Sequence, residues 1–158
     1  MIAGIAKIAR PAPAQAAARA AGVRASRPVI VAFGFLEVGS GIAGGLLGGR
    51  AALAVAACYA VLAAVAVALL IRAPATPCAC LGASNAVVTR THVAINVGAA
   101  GFAAVAATGG SPLAELSDGW VSGVVIAVLV GCCVQLAMLA LETLPDVTAA
   151  IQEGSPST

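Results

Sequence analysis

Two cysteines one residue apart, Cys78-Ala79-Cys80, lie in a stretch punctuated by Pro74, Pro77 and Gly82. Their spacing is the most informative local feature of the chain. A disulfide across one residue closes a small ring at the edge of comfortable Cα separation, so it is strained and easily reduced, which suits electron exchange better than stapling. The same two thiolates can hold a soft cation such as Cu(I), Zn or Hg. They do not complete a structural zinc site, which takes four ligands. The plainest alternative is two small apolar side chains in an Ala-rich loop.

Other groups that can do chemistry fall on the same half of the chain's apolar segments. Glu37 and the adjacent Cys132 and Cys133 each lie nine or ten residues in from one end of an uncharged or nearly uncharged run. That depth is roughly 14 Å at a helical rise, so the three can meet inside a bundle as acid and second thiol relay. His92 and Asn96 are four apart and share a helix face just after the cysteine loop. Each has a plainer role: His92 as an interfacial residue, Asn96 as an interhelical hydrogen-bonding group, Glu37 as a neutral buried acid. Cys132 and Cys133 point about 100° apart on a helix and form no natural bridge with one another. Cys58 reads as a packing residue toward the opposite face.

The elements that must carry these groups are set by composition. Of 158 residues, 61% are hydrophobic and 9% charged, and the mean hydropathy is +1.07. A soluble domain has about 45–50% apolar and about 25% charged residues, so the chain is neither an ordinary water-soluble globule nor disordered. It reads as a membrane protein. The net charge of +2 and five aromatic residues give nucleic-acid binding no support. No nucleotide loop, Ser-His-Asp arrangement or four-ligand metal motif is present, and no cofactor is implied.

Charges delimit the spans. Residues 51–71, 91–114 and 119–141 carry none, and 28–49 carries only Glu37. About 20 apolar residues cross a hydrocarbon core of about 30 Å. The expected fold is therefore all-α, a polytopic bundle with four spans at 28–49, 51–71, 91–107 and 119–141, since lipid offers backbone groups no partner. It occupies 28–143, with the cysteine loop at 72–90 and a polar tail at 144–158. Glycines four apart at Gly41/Gly45, Gly44/Gly48, Gly45/Gly49 and Gly119/Gly123 allow close helix approach. Gly48 to Arg50 reads as a tight turn, and Thr108 to Asp118 as a surface loop.

Residues 1–27 are a separate case. Met1 to Ala9 is apolar, too short to span, and followed by Arg10, Pro11 and Pro13, unlike a secretory signal. It reads as the remnant of a helix whose beginning is missing, leading into an interfacial basic segment with Arg19, Arg24 and Arg27. With four spans, seven basic residues, Lys7 among them, share the face of the cysteine loop and Arg50 stands alone opposite. The positive-inside rule makes that face cytoplasmic.

The Gly-Ile-Ala-Lys-Ile-Ala-Arg-Pro stretch at 4–11, Glu37 with Gly41, Cys78-Ala79-Cys80-Leu81-Gly82 and Asn96 together resemble the methylamine utilisation protein MauE family, related to DoxX-like membrane proteins. The resemblance covers roughly residues 4–145, with Leu81 where the family usually has Phe and Ile95 where an Arg often precedes the Asn. It implies a multi-pass accessory protein of the bacterial inner membrane, needed for maturation of the disulfide-rich small subunit of methylamine dehydrogenase. The chemistry implied is thiol-disulfide exchange with a thioredoxin-like partner and a disulfide-containing client. It also puts the loop outside the cytoplasm, against the charge count, and is given the greater weight because peripheral Arg can violate the orientation rule.

Three functions compete. In the first, Cys78 and Cys80 are attacking and resolving thiols, with Cys132 or Cys133 as relay and Glu37, His92 or Asn96 assisting proton transfer. In the second, the chain is a soft-metal transporter whose loop pair passes Cu or Hg to the mid-membrane pair. In the third, it is a structural membrane subunit.

Overall fold

The computed structural model describes residues 2–77 and 87–109. The chain divides into two units, Met1–Asp118 and Gly119–Thr158, and everything described lies in the first. The expected span at 119–141, Cys132, Cys133 and the tail lie outside the described residues, as do Cys78 and Cys80.

The described residues are all-α apart from one isolated bridge: α1 (Ile2–Ala9), α2 (Pro11–Ala20), α3 (Arg27–Leu47), α4 (Ala51–Arg72) and α5 (Arg90–Ala106). Prolines open two of them, Pro11 in α2 and Pro28 in α3, where a missing N–H costs nothing. Gly48 and Gly49 end α3 with φ of 59° and 49°, a backbone that side chains rarely adopt, and so turn the chain into α4. Thr89 and His92 form a capping box at the start of α5. Helices α3 and α4 are long and apolar enough to cross a membrane, with mean hydropathy of 1.8 and 2.7. Only 22% and 28% of those windows are buried within the protein, unlike the core helix of a soluble globule. Apolar side chains such as Ile71, Phe35 and Leu47 point outward. At 17 residues, α5 is at the lower end of spanning length.

Helices α3 and α4 end within two residues of the expected spans 28–49 and 51–71, and α5 lies within one residue of the expected 91–107. The order is antiparallel throughout. Helix α4 returns along α3 from the Gly48–Gly49 turn, and α5 returns along α4, so that the backbone of Gly109 comes within 3.9 Å of a Cβ placed on Gly49. At the other end, Arg72 Nη1 donates to the Ala21 carbonyl at 3.1 Å, and Val88 packs in one cluster with Ala14, Ala18, Ala25, Leu62 and Leu69. Helix α2, the turn into α3 and the ends of the cysteine loop therefore share a face. Helix α2 buries Pro11, Ala14, Ala17 and Ala18, a helical stripe of small residues that lets it lie close against the bundle.

The tightest crossing is α1 on α3. A Cβ on Gly4 would lie 2.7 Å from the Gly34 carbonyl, and one on Gly34 would lie 2.8 Å from the Gly4 carbonyl. Among the paired glycines of α3, Gly44 meets Val55 of α4, whereas Gly45 faces open space. The first is a packing position and the second is not. Replacing Gly34 by Ala is expected to lower stability by about 1–3 kcal/mol through overpacking. Gly45→Ala should instead raise it by about 0.4–1 kcal/mol, because it removes backbone freedom from the unfolded chain without meeting a neighbour. Unfolding in detergent, read by circular dichroism, distinguishes the two signs.

Candidate functional site

The crossing of α1 and α3 carries a buried ion pair. A Cβ added to Gly4 would lie 3.1 Å from that of Glu37, and one added to Gly34 would lie 3.3 Å from that of Lys7. Each glycine thus makes room for the charged residue of the opposite helix. Lys7 Nζ then donates to both carboxylate oxygens of Glu37, at 3.0 Å to Oε1 and 2.8 Å to Oε2, with the two side chains 5% and 7% exposed. The ammonium also lies 5.7 Å from the centroid of the Phe33 ring, within cation–π range. Glu37, expected as an isolated intramembrane acid, is paired. Lys7, counted among surface charges by its place in the sequence, is buried.

Beside the pair, α1, α3 and α4 enclose a cavity of about 70 Å³ lined by Ala3, Glu37, Ser40, Gly41, Cys58 and Tyr59. It has room for a few water molecules. Ser40 Oγ donates to the Glu37 carbonyl at 3.3 Å and lies 3.6 Å from the Cys58 thiol. Cys58, read from the sequence as packing, is buried and reduced, and it borders this polar cavity. The cluster can hold a carboxylate and an ammonium in a low-dielectric interior as one neutral unit. Protonation of Glu37 would leave the Lys7 ammonium without its counter-charge in the interior.

The second polar group opens α5. His92 is buried, and its Nδ1 accepts the Thr89 backbone N–H at 3.2 Å, with Thr89 Oγ1 at 2.9 Å. An amide can only donate, so a neutral His92 ring carries its proton on Nε2. Asn96, one turn on, donates from Nδ2 to the His92 carbonyl at 2.7 Å, while its buried Oδ1 has no hydrogen-bond partner among the described residues. The expected shared face of His92 and Asn96 is observed. The local bonds give both a structural task as well: His92 caps the helix, and Asn96 bonds within it.

The cysteine loop is described at its neck. Pro77 and Val87 form an antiparallel bridge, and Val88 N donates to the Thr76 carbonyl at 3.3 Å. Among the described residues, no three His, Cys, Asp or Glu side chains gather as a metal site. Nothing described joins Glu37 to His92 and Asn96.

Sequence reasoning missed Lys7 and the cavity residue Tyr59. A signal existed for the first: Gly4-Ile-Ala-Lys7 and Gly34-Phe-Leu-Glu37 have the same small-residue-to-charge spacing with opposite sign.

Removing one partner strands a charge in the interior. Lys7→Met and Glu37→Met are each expected to cost about 3–5 kcal/mol, and the double replacement to cost much less than their sum. A double-mutant cycle of unfolding in mixed micelles measures this; strictly additive losses would show that the two groups do not act as a pair.

Compared with known proteins, the chain matches no family model, no curated protein and no solved structure.

Proposed function

We propose that the chain is a multi-pass accessory protein of the bacterial inner membrane, similar to the MauE family, that exchanges thiols and disulfides through Cys78 and Cys80 with a thioredoxin-like partner. On this reading the bundle has four spans, with 119–141 the last, and serves methylamine utilisation by helping a disulfide-containing client, the small subunit of methylamine dehydrogenase, to mature. One thiolate attacks the partner's disulfide and forms a mixed disulfide, releasing the partner's other sulfur as thiolate. The second cysteine then attacks the bridging sulfur of its neighbour, leaving a Cys78–Cys80 disulfide here and a dithiol on the partner. Reversal of the same steps oxidises the partner. Cys132, Cys133, Glu37, His92 and Asn96 are the groups proposed for relay and proton transfer.

The observation that carries this reading is the closed neck of the loop. Pro77 and Val87 pair directly, so the residues that flank the cysteine segment meet at one point. That point lies at the bundle end marked by the Arg72–Ala21 bond, a surface a protein partner can reach.

Replacing Cys78 or Cys80 singly by Ser tests the chemistry. One of the two variants is expected to trap a mixed disulfide with a partner, seen as a reductant-sensitive adduct on a non-reducing gel. If neither forms an adduct and both instead alter cellular tolerance of copper or mercury, the soft-metal reading replaces this one. If the variant lacking both sulfurs supports the cell at undiminished levels, the loop is a scaffold. Labelling of Cys80 by a membrane-impermeant thiol reagent in intact cells assigns the compartment.

A further inference from the structure

We propose that the junction of α2 and α3 binds an anionic phospholipid, with its phosphate in an arginine-lined cleft and an acyl chain in the apolar crevice that adjoins it. The cleft, of about 660 Å³, is lined by Arg19, Arg24 and Arg27 together with Gln15 and Ser26. Among the described residues the one acid is Glu37, which is held by Lys7, and none of the three guanidiniums has an ion pair. Ser26 stands at the N-cap of α3 without making a side-chain capping bond, so its hydroxyl and the positive end of a 21-residue helix face the same region. Guanidinium groups in this arrangement match phosphate oxygens.

The adjoining crevice explains why the anion should carry a tail. Val23 and Ala25 line both spaces. From them the crevice, of about 170 Å³, runs between α2, α3 and α4 past Val29 and Val61 to Phe33 and Lys7. Phe33 stands six residues beyond Arg27, roughly 9 Å further along α3. A cationic mouth opening onto an apolar slot of that depth fits an amphiphile with a negative head. A soluble anion would leave the slot unused, and a zwitterionic lipid would bring no net charge to three arginines. Arg72 supports the site from behind, since its guanidinium packs on Gly22 and bonds the Ala21 carbonyl.

The full chain in an uncharged detergent provides the test, with the thermal midpoint followed as phosphatidylglycerol, phosphatidylcholine or inorganic phosphate is added. Phosphatidylglycerol is expected to raise the midpoint, and the other two at equal concentration are not. Replacing all three of Arg19, Arg24 and Arg27 by Gln should raise the half-effective lipid concentration by on the order of tenfold or more. Val61→Trp, at a half-exposed position that plugs the slot, should weaken binding while leaving every arginine in place. Arg24→Gln alone serves where the triple variant does not fold. Equal stabilisation by inorganic phosphate would reduce the site to a headless anion cleft and overturn the proposal. So would equal stabilisation by phosphatidylcholine, or a response unchanged in the folded variants.

Discussion

The ion pair between Lys7 and Glu37 is the constraint to which the first half of the chain answers. A single charge in the middle of an apolar span costs several kcal/mol, and two that meet must also approach closely enough to replace the water each has lost. The reciprocal glycines supply that approach: with any side chain at Gly4 or Gly34, the helix axes would have to separate and the carboxylate would lose its two short bonds. An eight-residue helix such as α1 has little stability of its own. Its position is therefore held by the pair and by the crossing, which fix its antiparallel direction along α3.

How much of this could be read beforehand depends on the range of the interaction. Span boundaries were legible because they are local: charges at Arg27, Arg50, Arg72 and Arg90 stand at the ends of apolar runs, and the helices begin or end within three residues of them. The Gly48 turn was legible for the same reason. Which glycines pack was not, since Gly44 and Gly45 are neighbours of one type and differ only in which side of α3 faces α4. Lys7 carried only a faint signal, the glycine-to-charge spacing it shares with Gly34 and Glu37. A basic residue three positions before Arg10-Pro11 has the local signature of a surface anchor, and only a partner thirty residues away makes it an interior one. At the candidate site, the His92–Asn96 register followed from helical spacing, while the cap on Thr89 required the backbone. The two cysteine pairs stand outside the described residues and keep the standing that spacing and resemblance give them.

The core at the loop end is built mainly from alanine. Ala14, Ala17, Ala18, Ala21, Ala25 and Ala66 bring α2 and α4 together with little side-chain volume, and Leu62, Leu69 and Val88 fill the remainder. Small residues suit an apolar solvent, where packing and backbone approach matter more than expulsion of water. The arrangement has a consequence for charge: the arginines have no room inside such a core, and Arg19, Arg24 and Arg27 are all exposed at its edge. Interior charge is neutralised in one pair, and rim charge is left for the surroundings.

This division bears on orientation. The positive-inside rule counts charges in loops that would have to be translocated. Lys7 leaves that count because it is buried against Glu37. Arg19, Arg24 and Arg27 belong to one cleft around the end of α2, a helix that lies against the bundle instead of spanning it. What remains on the cysteine-loop face is Arg10, Arg19, Arg24, Arg27, Arg72 and Arg90, against Arg50 on the other. Of these, Arg72 is tied by its guanidinium to the Ala21 carbonyl. The bias that places the thiol loop in the cytoplasm thus falls from seven against one to six against one once burial is taken into account. A thiol loop outside the cytoplasm would therefore require the arginines around α2 to be exempt from the rule as a peripheral segment.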